Sequence, residues 1–445
     1  MIRRCSCFLL ILVLIFQFCS CSKEKSHTIN GDIEYTGEAM LHSDTKVILH
    51  FSTIHHTADY PKLLRKALAK SQFFCFSSDG VLLNNFLINR EVMGNAISEH
   101  KNGVSICYAD FTLMINNSGY RFLDDTCNLD LPTMTYFAPS YTGRIESKEL
   151  TYYVLRLGTE VIKGQSTTLI RIVGENYAYD VVIPYSVAFV SYDEVNDRFI
   201  YNLFSRNNDF KYGTVEFDES TGRYYFMDIA DSISMDSVKD ICGDTSAGLL
   251  YLANGNTVYH LLPLRLNERI INDLNLSDTY EQDGEWAVMA LQKINLNTKE
   301  VTVEYLTNTP MHCDERGEFL LCGVQQMPHT YLNNRLYVFT TDGKLGIYTV
   351  GEDFVQYNAN FSFEGAIDSY APLDENDETY GQRSPFLLDP EGNIYVANIF
   401  DDGKVRIFKY DFEAQKFNLY WQSNCSVLDL VDKDSMNFIS IEILG

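Results

Sequence analysis

Proline is scarce, with 10 residues in 445, and no Gly/Ser/Pro-rich stretch interrupts the chain. That argues against a string of hinged domains and for one compact body. Basic residues are also in short supply. Lys and Arg number 35 against 60 Asp and Glu, a net charge of −25, and no basic patch relieves it. A surface of that sign repels phosphate backbones, which argues against nucleic acid as a partner. Missing too are GxSxG, HExxH, a phosphate-binding GxxxxGK[ST] loop, GxGxxG and an EF-hand loop. These absences remove the local signatures of several enzyme classes, but not a site assembled from distant parts of the chain. No CxxC pair is present, so zinc-knuckle spacing is absent. Only one apolar run stands out, residues 8–18, and it is about half the length a bilayer span requires.

What surrounds that run gives it meaning. Arg3 and Arg4 precede it and the small-residue site Cys19-Ser20-Cys21 follows. This is the order of a cleaved signal peptide over residues 1–20. The sequence Phe18-Cys19-Ser20-Cys21 resembles a bacterial lipobox, with Phe18 where Leu is usual and Cys19 where Ala or Ser is usual. The resemblance implies acylation at Cys21, whose chains would hold the protein to a membrane. Residues 21–31 then read as a polar tether and residues 32–445 as the folded domain.

Aromatic residues are abundant, 29 Tyr and 28 Phe, and they favour strands. Residues 392–421 (GNIYVANIFDDGKVRIFKYDFEAQKFNLYW) read as three short strands with Asp-Asp-Gly at the first turn. Branched residues alternate within it, as in Ile394/Val396 and Val405/Ile407, the pattern of a half-buried strand. Similar groups begin near Thr151, Arg198, Leu249 and Arg335, at steps of 47, 51, 86 and 58. Repeats of about 40–50 residues built from strands are the mark of a propeller of four-stranded antiparallel blades. The step of 86 holds an insertion near 262–285, with helical character over residues 267–276. Five units cover residues 150–425, and residues 30–140 have room for one or two more. The expected fold is therefore an all-β propeller of six blades, with seven as the near alternative. Open sheet edges are a liability, so the ring should close. Residues 436–444 (MNFISIEIL) alternate and have no strand partner of their own. They are expected to join the blade containing residues 46–51 and 72–87. Residues 61–70 (PKLLRKALAK) read as a short helix opened by Pro61.

Seven cysteines follow Cys21, an odd number. Cys107/Cys127 and Cys313/Cys322 are spaced to close hairpins in an oxidising compartment, but buried free thiols are the favoured reading. His55-His56 reads as a solvated loop. His312-Cys313 with Cys322 and His329 has metal-ligand residue types without metal-ligand spacing, so no metal or cofactor is expected. Residues 374–380 form an acidic loop-like run followed by Gln382-Arg383. Tyr380 and Arg383 are the candidate ligand contacts there, an aromatic ring and a guanidinium next to a blade start. Asp389-Pro390-Glu391-Gly392-Asn393 places two carboxylates together, but Pro and Gly at those positions are β-turn chemistry.

With Cys21, residues 74–83 (FCFSSDGVLL), residues 335–350 (RLYVFTTDGKLGIYTV) and residues 392–411 in view, the chain resembles the TolB-like six-bladed propeller lipoproteins of Gram-negative bacteria. The resemblance implies a propeller, an outer-membrane lipoprotein location and no transferable catalytic residues. The function expected is a non-catalytic, membrane-anchored binder of a protein or glycan. The alternative is an envelope hydrolase or lyase with its site in the propeller tunnel.

Overall fold

The computed structural model describes residues 27–29, 33–37, 39–52, 70–89, 97–108, 111–123, 139–162, 165–203, 209–242, 250–276, 286–312, 334–340, 343–360, 363–367, 386–389, 391–431 and 437–445. The strands form seven small antiparallel sheets. Blade 1 contains β1 (His27–Ile29), β2 (Ile33–Gly37), β3 (Val47–Ser52), β4 (Ser71–Phe76) and β5 (Leu82–Ile88). Blade 2 holds β6 (Ile97–His100), β7 (Gly103–Cys107), β8 (Thr112–Asn116) and β9 (Gly119–Leu123). Blade 3 holds β10 (Pro139–Ile145), β11 (Leu150–Ile162), β12 (Gln165–Val173) and β13 (Ala178–Ile183). Blade 4 holds β14 (Val187–Asp193), β15 (Arg198–Leu203), β16 (Asp209–Asp218) and β17 (Arg223–Ser234). Blade 5 holds β18 (Leu250–Asn254), β19 (Thr257–Arg265), β20 (Trp286–Asn295) and β21 (Val301–Tyr305), with β22 (Met311–His312) paired to β20. Blade 6 has three described strands, β23 (Arg335–Thr340), β24 (Lys344–Thr349) and β25 (Val355–Asn358). Blade 7 holds β26 (Phe386–Leu388), β27 (Ile394–Ile399), β28 (Val405–Asp411) and β29 (Lys416–Gln422).

The ring closes as expected. The last strand, β30 (Asn437–Ile443), pairs antiparallel with β3, from Val47↔Ile443 to Ser52↔Asn437, and becomes the first strand of blade 1. First strands of neighbouring blades meet around the axis: β26 touches β30, β30 touches β6, and β14 touches β18. The count is seven, the alternative to six. Both blades for which residues 30–140 had room are present, and blade 2 fits within residues 97–123 because its strands are short.

Sequence alternation has a different meaning from the one first read. In β3 and β27 every residue is buried, not every second one. Each blade is sandwiched between two others, so alternation sorts side chains between two cores. Ile394 and Val396 face a core with Leu336 and Val338 of blade 6. Tyr395, Ala397 and Ile399 face the other, with Val47, Leu49 and Phe51 of blade 1. Half-buried strands are found on the outer rim, where β29 is mostly exposed. The unit beginning near Leu249 is one strand out of phase, since it opens on a first strand whereas Thr151 and Arg198 lie at or near the start of second strands. Within the 262–285 insertion the expected helix is present as Glu268–Asp273. The Asn267 side chain caps it by accepting from the Ile270 amide at 2.9 Å, and Ile270 is buried between blades 4 and 5. No described helix is long and apolar enough to cross a membrane. The leader, Cys21 and residues 61–69 of the helix expected at 61–70 lie outside the described residues.

Candidate functional site

The β6–β7, β10–β11 and β26–β27 turns and the end of the closing strand come together on one side of the ring. On that face, between blades 7, 1, 2 and 3, a cleft of about 800 Å³ opens. Blade 7 supplies Asp389, Glu391, Asn393 and Tyr395, with Tyr420 and Trp421 from its outer strand. The closing strand ends at the cleft with Leu444 and Gly445, beside Lys46. Blade 2 supplies Glu99, His100 and Lys101, and blade 3 supplies Arg144 and Glu146.

Local chemistry fixes each contribution. The blade 7 turn is the β-turn the sequence announced: the Gly392 amide donates to the Asp389 carbonyl at 2.9 Å, with Gly392 at φ +84°. Both oxygens of the Asp389 carboxylate are engaged. One accepts from the Asn393 amide at 2.8 Å, the other from Asn393 Nδ2 at 2.7 Å and the Tyr395 hydroxyl at 3.1 Å. Asp389 therefore shapes the turn, and Glu391 is the exposed carboxylate of the pair. Opposite them, Glu99 Oε1 accepts from the Gly445 amide at 2.9 Å, and Lys46 Nζ donates to the Gly445 carbonyl at 2.7 Å. The first bond ties the closing strand to blade 2, and the second ties its end to blade 1. Burial holds the Glu99 carboxyl above its ordinary range. The Gly445 amide and Arg144 oppose the shift, and Glu391 and Asp389 add to it. Arg144 is paired with Glu146 at 3.3 Å.

Behind the cleft wall lies a buried polar chain. His100 Nε2 and Ser105 Oγ are 2.7 Å apart, and Ser105 Oγ is 2.7 Å from the Tyr153 hydroxyl. Burial, helped by Arg144, lowers the His100 ring to about 4, so it is neutral at physiological pH. Glu442, on the closing strand, is 4% exposed, and its Oε1 has no hydrogen-bond partner among the described residues. Burial, with Glu99 nearby, raises its carboxyl well above the ordinary range.

The aromatic edge is the other half of the site. The Tyr395 and Tyr420 rings meet edge-to-face at 5.2 Å, and Trp421 is fixed by donating from Nε1 to the Ser77 carbonyl at 3.1 Å. Tyr420 is 50% exposed, a large flat ring presented to solvent beside carboxylates, an amide and three cations.

Tyr380 and Arg383, the contacts proposed from sequence, lie outside the described residues, as do His55-His56, Cys313, Cys322 and His329. Among the described residues no group of three or more His, Cys, Asp or Glu could hold a metal ion. Cys107 is a free, buried thiol, not half of a disulfide; Cys75 is buried and free as well, and Cys242 is buried. Sequence reasoning reached Asp389–Asn393 but not Glu99, Arg144, Tyr395 or Tyr420, which meet only when the ring closes.

No family model matches the chain, and no curated protein matches it. Among solved structures it is similar to the cobalt-substituted apocarotenoid oxygenase of Synechocystis. That match has 9% identity and a TM-score of 0.44, covering 93% of this chain and 96% of the other. It is also similar to a candidate 6-phosphogluconolactonase from Bacteroides fragilis, with 10% identity and a TM-score of 0.37 over 89% and 98% of the two chains. At such values neither likeness bears on chemistry, and the seven blades stand on the strand pairing itself.

Proposed function

We propose that the protein is a membrane-anchored binding propeller of the bacterial cell envelope that takes a glycan in the cleft between blades 7, 1, 2 and 3. The exposed Tyr420 ring carries the reading. Sugar rings present apolar C–H faces and a periphery of hydroxyls. An aromatic platform with donors and acceptors beside it answers both requirements. Here Glu391, Asn393, Arg144 and Lys101 supply that periphery. Anchoring through an acylated Cys21, after removal of residues 1–20, belongs to the same proposal and rests on the lipobox. So does kinship with the TolB-like lipoproteins, with seven blades in place of six.

The test is a glycan array probed with the soluble protein, followed by titration of any hit against Tyr420→Ala. Stacking on one ring is worth roughly 0.5–1.5 kcal/mol, so the substitution should weaken binding about 2- to 12-fold. Unchanged affinity in Tyr420→Ala, or no glycan bound at all, ends the reading.

A second reading is favoured by Glu99. A carboxyl raised by burial beside a cleft with other carboxylates is the arrangement an acid catalyst of glycosidic cleavage needs. New reducing ends, released by the wild type and not by Glu99→Gln, would turn the binder into a hydrolase or lyase.

A further inference from the structure

We propose that the outer rim of blade 1 lies against the lipid bilayer, so that the disc is held by one edge with its cleft in the membrane-proximal sector. This rests on the acylation of Cys21 proposed above.

The structure makes the leash short. Sequence alone gave residues 21–31 to a free tether, but β1 begins at His27 and pairs with β2 from His27↔Tyr35 to Ile29↔Ile33. Strand β2 in turn pairs with β5 from Tyr35↔Ile88 to Gly37↔Phe86. The N-terminal hairpin thus adds two strands outside the usual four, and blade 1 is the six-stranded sheet of the ring. Six Cα–Cα steps separate Cys21 from His27, a span of at most about 20 Å even when fully extended. A bilayer-embedded acyl group at Cys21 therefore leaves this rim no room to turn away.

Charge agrees with length. The headgroup surface of a bacterial membrane is anionic, and a protein with 60 acidic residues is repelled over most of its surface. Strands β1, β2 and β5 (HTI, IEYTG and LLNNFLI) contain one acidic residue between them, Glu34. The rim strand of blade 4, β17, carries Asp228 and Asp231, whereas β9, β25 and β29 carry no acidic residue, so charge permits this rim at the bilayer and the short leash selects it. Between the lipid and β1 the sequence places Lys23, Glu24 and Lys25, a net charge of +1 that the headgroup layer tolerates. The cleft is built from blade 1 and its neighbours, so it too is brought close to the lipid.

The experiment uses the full chain, made with its own leader and reconstituted in vesicles of phosphatidylethanolamine and phosphatidylglycerol. Hydrogen exchange is compared with the Cys21→Ser protein in solution, and the mass of the N-terminal peptide reports acylation. Peptides covering Ile33–Gly37 and Leu82–Ile88 should exchange several-fold more slowly on vesicles, while those covering Arg223–Ser234 should not change. Inserting about ten Gly/Ser residues after Ser26 should abolish the protection without releasing the protein from vesicles. Equal exchange at the blade 1 rim on an acylated protein overturns the orientation and leaves the anchoring intact. An unmodified Cys21 overturns both.

Discussion

Arg171 grips Asp180 with both arms of its guanidinium, Nε to Oδ1 at 2.7 Å and Nη2 to Oδ2 at 2.9 Å, and both side chains are 1% exposed. The remaining nitrogen, Nη1, crosses to blade 2 and donates to the carbonyls of Tyr108 and, at 2.9 Å, Phe111. One buried cation thus fastens the turn between β7 and β8 to blade 3. Taking one charge of such a pair away leaves the other unpaired in a dry interface, at a cost of about 3–5 kcal/mol. Asp180→Ala should lower the urea midpoint accordingly. Arg171→Met with Asp180→Leu should recover much of that loss, because the larger part of the cost is the stranded charge. A double variant no more stable than the single one would show that the blade 2 contacts, not the ion pair, hold the seam.

Buried titratable groups pull the pH dependence of stability in opposite directions. The Glu442 carboxyl is raised in the fold, so the stability it contributes is full below its unfolded value near 4.3 and is lost as pH rises through its folded value. His50 and His260 are lowered by burial to about 3 and about 4. Their contribution is full above roughly 6.5, the unfolded value, and is lost as pH falls through the folded values. Glu442→Gln keeps the neutral shape of the side chain. It should raise stability at pH 7 to 8 and leave stability at pH 4 nearly unchanged. Chemical denaturation of both proteins across pH 4–8 measures this, and an equal shift at every pH would remove Glu442 from the account.

How much of this was legible follows from where each signal resides. Hairpins are local, so the second, third and fourth strands of blades 2, 3 and 4 were readable as groups, with Asn116–Gly119 and Thr221–Gly222 at their turns. Several first strands were missed. Ile97–His100, Pro139–Ile145 and Phe386–Leu388 are short or begin with proline, and each follows residues outside the described structure. Closure was legible because Phe438, Ser440 and Glu442 alternate with three isoleucines in a segment that otherwise lacked a partner. The cleft was not legible. Glu99 and Gly445 are 346 residues apart in the chain and 2.9 Å apart in space, and no local spacing rule can join them.

Closure itself gives the last prediction. Phe438 of β30 stacks on Phe51 of β3 with ring centroids 4.9 Å apart, and Phe51 also meets Phe74 edge-to-face at 5.7 Å. This aromatic cluster lies in the core between blades 1 and 7, where Leu387 and Tyr395 complete it. Phe438→Ala removes a buried ring from the only strand that joins the last blade to the first among the described pairings. The loss should be about 3–5 kcal/mol, the range for emptying a Phe site. Because the residue acts at the seam, the damage should also be local before it is global. Native-state hydrogen exchange should accelerate first at β3 and β30, while β15 and β16 on the far side of the ring keep their protection. Uniform acceleration across all seven blades would mean that the ring opens only by unfolding as a whole, and that the seam is no weaker than any other blade junction.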